Sequence, residues 1–469
     1  MDKRPSDLRI EGLASATVAA GIAMQEAVMP EGECSGFDPE WLERPNWNAR
    51  AFNWVTSYPV HRVLAFLGLL TPVLPMVVWR AQLFLRNGDV RQVLSRSDLF
   101  PVPWHWKMIE VTGGHEHGGR NFVLGMKPGD EYRLSYEQIA RVFPLSDVKH
   151  VGKLSAKAAS NIVKSLANGQ PFDAIEDLIT AVPTRMCAQY YGLKIATPDA
   201  NNAQPSPAEV MFAKWTLVVS SYLFAPPFTR QDDEGTRQAQ AAAHCLRRVI
   251  RDSIETARTD PPPTDTAMAQ FLKLQAADPD HVTDDVIHAQ LFGKVLGFIP
   301  TNVLAGGNIL ETLLKRPDFM ARARNAALAD DDRLLWQCLR EALRFRNINL
   351  GPFREVGPQG YTVRRRFLPD CRLKPGTPVL ASTQAAMFDP RVVKRPGAFD
   401  PDRPDDDYLV FGVGQHWCVG AYIAIAQLTQ TFKPLLRREA LEPVEGKRGK
   451  LQRFGAYPLH LQARFGEAK

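Results

Sequence analysis

The chain has 469 residues, of which 45% are hydrophobic and 23% charged, the composition of a globular protein rather than a disordered one. Its 57 basic and 51 acidic side chains leave a formal net charge of only +6. There is no Lys/Arg-rich run and no zinc-ligand spacing, so no nucleic-acid partner is expected. Six scattered cysteines without a CxxC pair indicate a reduced, cytoplasmic protein rather than a disulfide-stabilised one.

The first 50 residues are rich in turn signals and are predicted to form an N-terminal extension to a domain of residues 51–469. The longest uncharged stretch, Val63 to Trp79, is short for a membrane span and contains Pro72 and Pro75. It therefore predicts a helix, a turn and a strand. No transmembrane anchor is expected, while a peripheral membrane contact stays open.

The remaining patterns predict a mostly α protein with small β-sheets. Strands are predicted near residues 76–79, 82–85, 373–388 and 457–465, and helices near residues 89–94, 134–166, 208–224, 334–345 and 421–428. A Gly-rich His115-Glu116-His117 segment lacks partner ligands, so a solvated loop is expected there rather than a metal site.

The longest predicted helix begins near Thr283, a good N-cap, and ends before Pro317. At 1.5 Å per residue it would be roughly 48 Å long. Its middle contains Gly293, Gly297 and Pro300, which weaken a helix, and Pro300 should kink it. A long apolar helix that is weakened at its centre suggests that something lies against that point.

The segment from Phe411 to Gly420 has the pattern F-x-x-G-x-x-x-C-x-G and precedes an apolar helix. Gly414 and Gly420 permit a tight backbone that turns amides toward Cys418, and the helix places its positive end beside that sulfur. This environment suits a thiolate ligand to a metal. The alternative is a glycine turn before a buried helix with a core cysteine.

This segment resembles the signature loop of the cytochrome P450 superfamily. The resemblance implies that the sulfur of Cys418 is the ligand to the iron of haem b. Phe411 would shield that side from water, and His416 would donate to a haem carboxylate.

Three further matches lie upstream in the order that the family shows. Glu341 and Arg344 resemble its Glu-x-x-Arg, and Arg403, in the stretch from Phe399 to Arg403, resembles an arginine that completes a buried network. Arg354 lies where the family has an arginine that binds a haem propionate. The resemblance spans about residue 55 to the C-terminus.

Two places depart from the family pattern. The central helix lacks the family's acid–alcohol pair in either register, since Ile299 or Pro300 replaces the acid. Thr301, Asn302 and a carbonyl freed by Pro300 are the candidate catalytic groups; alternatively, Thr301 and Asn302 merely satisfy the broken helix. In the helix after Gly129, Tyr132 stands near the family's propionate ligands and could donate a hydrogen bond.

By resemblance, the substrate cavity would be lined by apolar residues from several segments, so a lipophilic substrate is expected. The segments are residues 102–123 and 212–228, and the single residues are Leu296, Gly297, Ile299, Ile348, Leu350 and Phe454.

Three functions remain open. The first is a monooxygenase that hydroxylates or epoxidises a small molecule with electrons from an external ferredoxin or flavodoxin system. The second is an isomerase or peroxygenase that uses organic hydroperoxides of fatty-acid type, motivated by the missing acid. The third is a haem protein that binds a ligand without catalysis.

Overall fold

A computed structural model shows a mostly helical protein with four small β-sheets, which confirms the predicted fold class. It describes residues 34, 36–44, 53–76, 80–112, 123–197, 203–226, 233–366 and 368–466. The helices are α1 (Tyr58–Leu70), α2 (Asn87–Ser95), α3 (His105–Thr112), α4 (Asp130–Val142), α5 (Val148–Ser165), α6 (Ala181–Gln189), α7 (Pro207–Phe224), α8 (Asp233–Thr259), α9 (Ala267–Ala277), α10 (Asp284–Leu314), α11 (Pro317–Leu328), α12 (Asp332–Phe345), α13 (Thr383–Ala386) and α14 (Ala421–Arg437), and a π-helical segment spans Ala174–Thr180.

The main sheet joins strands from residues 73–84 to strands from residues 353–381. The strands are β1 (Val73–Met76), β2 (Ala81–Phe84), β3 (Phe172–Asp173), β4 (Phe353–Glu355), β5 (Tyr361–Val363), β6 (Cys371–Leu373), β7 (Pro378–Ala381), β8 (Glu442–Pro443), β9 (Gln452–Phe454), β10 (Tyr457–His460) and β11 (Gln462–Arg464). The main sheet has the order β1-β2-β7-β4, with β2 and β7 parallel. The order of the three-stranded sheet is β3-β11-β8, and β5-β6 and β9-β10 are antiparallel pairs.

Helix α10 runs through the centre of the core. Its first turn is capped by Thr283, whose side chain accepts a hydrogen bond from the amide of Val286, as the sequence predicted. A Cβ on Gly306 would lie 2.7 Å from Ile179, and one on Gly307 would lie 2.5 Å from Pro458. These two glycines therefore let the π-helical segment and β10 pack directly on the helix.

The helix continues past Pro300 to Leu314. The hydroxyl of Thr301 donates to the carbonyl of Gly297, and the amide of Asn302 donates to the carbonyl of Phe298 at 2.8 Å. Both side chains thus bond to carbonyls of the preceding turn, beside the position where proline removes a backbone donor.

Some predicted elements differ from those observed. The helical pattern of residues 134–166 is divided between α4 and α5, because Pro144 cannot continue the first helix. The strand-like run after Leu373 includes only β7, and Ser382 then caps the short helix α13 through the amide of Ala385. The predicted strand of residues 76–79 lies outside the described residues after Met76.

Part of the predicted N-terminal extension packs on the domain. Leu42 is buried, and the ring of Trp41 lies 4.7 Å from that of Phe454 in β9. Glu43 Oε1 is 3.1 Å from His460 Nε2 in β10. Residues 36–44 therefore cover the β9-β10 hairpin, whereas residues 1–33 and the segment around His115 lie outside the described residues. In the described chain, none of the helices combines the length and the apolar character needed to span a membrane.

Candidate functional site

Cys418 lies in a closed loop just before α14. Its amide donates to the carbonyl of Phe411 at 3.0 Å, and the amide of Ala421 at the start of α14 donates to the Cys418 carbonyl at 3.2 Å. The ring of Phe411 stacks near Trp336 of α12, with 6.3 Å between centroids. The loop is thus fixed at both ends by backbone bonds and on its outer side by an aromatic contact.

Gly414 allows this loop to approach α2. Its φ is +78°, in the left-handed region, and a Cβ there would lie 2.7 Å from the Cα of Ser95. Gly420 behaves differently, because its φ is −91° and a Cβ would meet only the Cys418 sulfur, at 3.9 Å. The expected requirement for an unusual backbone therefore applies to Gly414 and not to Gly420.

Cys418 is exposed as a residue, although protein atoms surround its thiol, and we infer from this that it borders an internal space. Burial raises the pKa of its thiol, whereas the amide of Gly420 and the charge of Lys294 act to lower that pKa. The N-terminus of α14 adds a positive helix end beside the sulfur. A neutral thiol is costly to ionise here without a cation, which suits a sulfur that is bound to a metal.

Arg354 and His416 provide hydrogen-bond donors that the described residues leave unused. Arg354, 3% exposed in β4, donates from Nη1 to the carbonyl of Phe353, while its Nε has no partner among described residues. Burial lowers the pKa of Arg354 to about 10. His416 Nε2 also lacks a partner among described residues, and burial together with the charge of Arg354 lowers the pKa of His416 to about 4.

A buried guanidinium with an unused donor requires a counter-charge. The two carboxylates of haem b supply two negative charges, so Arg354 and His416 fit that group. The donor set of the site, one sulfur and two carboxylate-binding side chains, therefore matches a haem-thiolate centre.

Tyr132 contacts the Cys418 loop directly. Its hydroxyl donates to the carbonyl of Gln415 at 2.7 Å, and its ring lies edge-on to His416 with 5.2 Å between centroids. The hydroxyl proton is therefore used to hold the Cys418 loop against α4. Donation from Tyr132 to a haem carboxylate stays a prediction.

Glu341, Arg344 and Arg403 meet in the interior behind the loop. Arg344 donates to both oxygens of Glu341, from Nε at 2.8 Å and from Nη2 at 2.7 Å. Arg403 Nε donates to Glu341 Oε1 at 3.2 Å. All three are 4% exposed or less. The arginines also donate to main-chain carbonyls of residues 387, 394, 395 and 398, so the network ties α12 to the chain that leads into the loop.

Tyr408 is a member of this network that the sequence analysis missed. Its hydroxyl donates to Glu341 Oε2 at 2.8 Å, and the guanidinium of Arg340 lies 3.8 Å from the centre of its ring. Its position, three residues before Phe411, is the only sequence signal that could have indicated this contact.

One face of α10 opens into the internal space. Between Ile287 and Leu310 every residue is buried except Gly293, Lys294, Gly297 and Thr301. A Cβ on Gly297 would meet nothing within 4 Å. Thr301 is therefore the hydroxyl of this face, whereas Pro300 and Asn302 are buried. The Oδ1 of Asn302 has no partner among described residues.

The expected substrate-lining residues are distributed unevenly around this space. Gly297 faces it, whereas Leu296 and Ile299 are fully buried in the core. Leu350 packs in a cluster with Phe353 and Trp104. Ile348 is half-buried against the main core, and Phe454 is covered by the N-terminal segment. Residues 113–122, 227 and 228 of the expected lining lie outside the described residues.

The chain is similar to known proteins over most of its length. A family model described as Cytochrome P450 matches residues 151–456. The mycinamicin IV hydroxylase/epoxidase of Micromonospora griseorubida is 24% identical over 361 residues, which cover 76% of this chain and 82% of that protein. A bifunctional dioxygenase–epoxy alcohol synthase of Fusarium oxysporum is 29% identical over 181 residues, which cover 36% of this chain and 14% of that protein.

Solved structures share the fold. The epothilone B-bound cytochrome P450epoK superposes with a TM-score of 0.71 at 16% identity, covering 92% of this chain and all of that chain. At this identity the likeness concerns the fold alone.

Proposed function

The chain belongs to the cytochrome P450 family and its cofactor is haem b, and from this premise we propose a monooxygenase that acts on a lipophilic small molecule. Electrons would come from an external ferredoxin or flavodoxin system. The observation that carries the proposal is that Cys418, just before the positive end of α14, lies close enough to Lys294 of α10 for the charge of each side chain to shift the pKa of the other. A haem between them would have the sulfur on one side and a substrate space on the other.

When bound, haem b supplies the iron on which dioxygen is reduced and one oxygen atom is transferred to a C–H or C=C bond. Cys418 would hold the iron, with the Gly420 amide donating to its sulfur. Arg354 and His416 would hold the carboxylates. Tyr132 and the Glu341 network keep the Cys418 loop in place.

Proton delivery would rest on few groups of the protein. The central helix carries no carboxylate between Asp285 and Glu311. Thr301 has the hydroxyl on the open face, and in the structure this hydroxyl donates a hydrogen bond to the carbonyl of Gly297. A proton relay would therefore need this hydroxyl to turn toward the substrate space, with water completing the path.

We also propose a second candidate, an enzyme that rearranges or uses organic hydroperoxides. The missing carboxylate favours it, because a hydroperoxide arrives already reduced and needs less proton delivery. The name of the Fusarium relative, which includes an epoxy alcohol synthase, adds support. A haem protein without catalysis stays as the third candidate.

The thiolate is tested by the absorption spectrum of the ferrous–CO complex. The wild type should show the red-shifted band, and Cys418→Ser should abolish it. Cys371→Ser, a half-exposed cysteine in β6, is the matched control and should keep the band. Loss of the band in both variants, or in neither, would contradict the assignment.

The oxidant is tested by two parallel assays. One contains dioxygen and a reduced ferredoxin or flavodoxin system, and the other contains a fatty-acid hydroperoxide without electrons. Turnover only with electrons supports the monooxygenase, and turnover only with hydroperoxide supports the second candidate. Absence of turnover in both assays, with an intact CO band, favours the third.

A further inference from the structure

Lys294 places an ammonium group on the open face of α10. On an α-helix of 3.6 residues per turn, Lys294, Gly297 and Thr301 share one face, being three and seven residues apart. In this part of the helix, Gly297 is exposed and Lys294 and Thr301, like Gly293, are half-buried, whereas the other residues are buried. The side chain of Lys294 therefore borders the same internal space as the Thr301 hydroxyl.

No hydrogen bond or ion pair satisfies this ammonium within the described part of the chain. Its contact there is with the ring of Phe143, 5.4 Å from Nζ to the centroid. Tyr191 and Phe298 extend the aromatic wall, with centroids of Tyr191 5.4 Å from Phe143 and 5.5 Å from Phe298. A cation in such surroundings is poorly solvated and is stabilised by a bound anion.

Cys418 does not supply the negative charge that would stabilise the ammonium group of Lys294. Burial lowers the pKa of Lys294 to about 8, and the charge of Cys418 opposes that shift without cancelling it. When the sulfur is bound to iron, its negative charge is shared with the metal and is no longer a free counter-charge.

The carboxylates of haem b would not reach Lys294 either. They fit Arg354 and His416, and His416 contacts Tyr132 near the start of α4. Phe143 follows the last residue of that helix. Phe143 is eleven positions after Tyr132, a rise of roughly 16 Å at 1.5 Å per residue. Lys294 thus lies toward the opposite side of the site from the groups that hold the carboxylates.

We propose that Lys294 binds the carboxylate of the substrate, which is then an amphipathic organic acid with a long apolar body. This inference rests on the proposed function, because it names the substrate class of the same site. A singly charged carboxylate matches one ammonium group, whereas a phosphate with about two negative charges would call for more cations than this face carries. The aromatic wall suits the apolar body of such an acid.

The test is a set of spectral titrations of the haem-loaded protein. The probes are octanoate, dodecanoate and hexadecanoate, each compared with its methyl ester. The wild type should bind at least one acid more tightly than its ester. Lys294→Met should weaken binding of that acid by about 10- to 100-fold and leave the ester within about twofold, since a charge-assisted bond is lost. Lys294→Arg should keep most of the preference.

Lys153→Met is the matched control, because Lys153 is an exposed lysine on α5. It should bind acid and ester as the wild type does. The inference is overturned if no acid is preferred by the wild type, or if Lys294→Met weakens acid and ester equally. It is also overturned if Lys294→Met changes only the reduction potential, since the lysine would then act on Cys418.

The CO spectrum distinguishes a failure of the role proposed for Lys294 from a failure of the proposed function. A wild type with the red-shifted band and electron-driven turnover, but without preference for acids, refutes the role of Lys294 and leaves the monooxygenase intact. A protein without that band refutes the proposed function itself.

Discussion

Glu341 and Arg344 form a two-point ion pair that is completely removed from solvent. The distances are 2.7 and 2.8 Å, and the exposed fraction of both side chains is zero. Burial alone would raise the pKa of Glu341, but the bonds from Arg344, Asp400 and Tyr408 hold it below its ordinary value. The carboxylate is therefore charged in the folded protein and accepts hydrogen bonds from two buried guanidinium groups, whose charge it offsets in part.

The first prediction concerns the loss of that charge. Glu341→Gln should lower the free energy of unfolding by about 3 to 5 kcal/mol, because Arg344 loses its carboxylate partner in the interior and Arg403 keeps only the more distant Asp407, at 3.9 Å. The measurement is urea unfolding followed by circular dichroism. Glu439→Gln is the control, since Glu439 is 91% exposed and its pair with Arg324 is 3.4 Å long. It should change stability by less than about 0.5 kcal/mol, and equal effects of the two changes would contradict the buried network.

The second prediction concerns retention of haem. Arg354→Met should speed the transfer of haem to apomyoglobin by about 10- to 100-fold, because a charged bond to a carboxylate is lost. His416→Phe should have a smaller effect, about two- to tenfold, since an imidazole offers a carboxylate one N–H, whereas the guanidinium of Arg354 offers several in a fork. Arg372→Met, at an exposed position of β6, is the control and should retain haem normally. A larger effect for His416 than for Arg354 would contradict the assignment.

The sequence predicted contacts between residues that are close together in the chain, and it did not predict contacts between residues that are far apart. The loop from Phe411 to Cys418 is closed by bonds between residues only a few positions apart, so its motif was visible in the chain. The pair of Glu341 and Arg344 is also local, at a spacing of three on one helix. Tyr408 contacts Glu341 across 67 positions, and a contact between residues so far apart has no sequence motif that predicts it.

The sequence also did not predict which side of α10 borders the internal space. A helix that is apolar on nearly every side gives no periodicity from which to read its exposed face. The pattern predicted a weakened centre at Gly297 and Pro300; the helix is continuous there, and Gly297 is exposed on the face that borders the internal space. Lys294 was not singled out, because only the burial of its neighbours shows that its face borders the substrate space.

The third prediction concerns pH and the docked N-terminal segment. His460 lies between two carboxylates, 2.7 Å from Asp173 and 3.1 Å from Glu43. Its pKa is raised to about 9, first by the bond to Asp173. A histidine whose folded pKa is raised stabilises the fold fully below pH 6.5, and the contribution is lost as pH rises through about 9.

The free energy of unfolding should therefore fall by about 1 to 2 kcal/mol between pH 6.5 and 9.5, after allowance for partial exposure. His460→Gln should remove most of this dependence. His281→Gln is a suitable control, because His281 is exposed and its ion pair among the described residues is with Asp278, on the surface. A wild type and a His460→Gln variant with the same pH profile would refute the link.

The fourth prediction concerns a buried lysine between α3 and α7. Lys107 is 1% exposed, and its Nζ donates to the carbonyls of Tyr222 at 3.1 Å, Ala225 at 3.0 Å and Pro226 at 3.4 Å. The last carbonyls of a helix lack partners within it and favour a cation nearby. Lys107 thus joins two of the segments that are expected to line the substrate cavity.

Lys107→Met keeps much of the apolar stem but removes the three donors. Amide hydrogen exchange in the last turn of α7 should become faster by about 10-fold or more, since a lost buried bond costs about 1 to 3 kcal/mol. A bulky azole that binds the haem iron should also enter and leave faster in stopped-flow mixing. Lys157→Met, at an exposed position of α5, should change neither rate. If Lys107→Met leaves exchange in α7 unchanged, the lysine does not hold the two helices together.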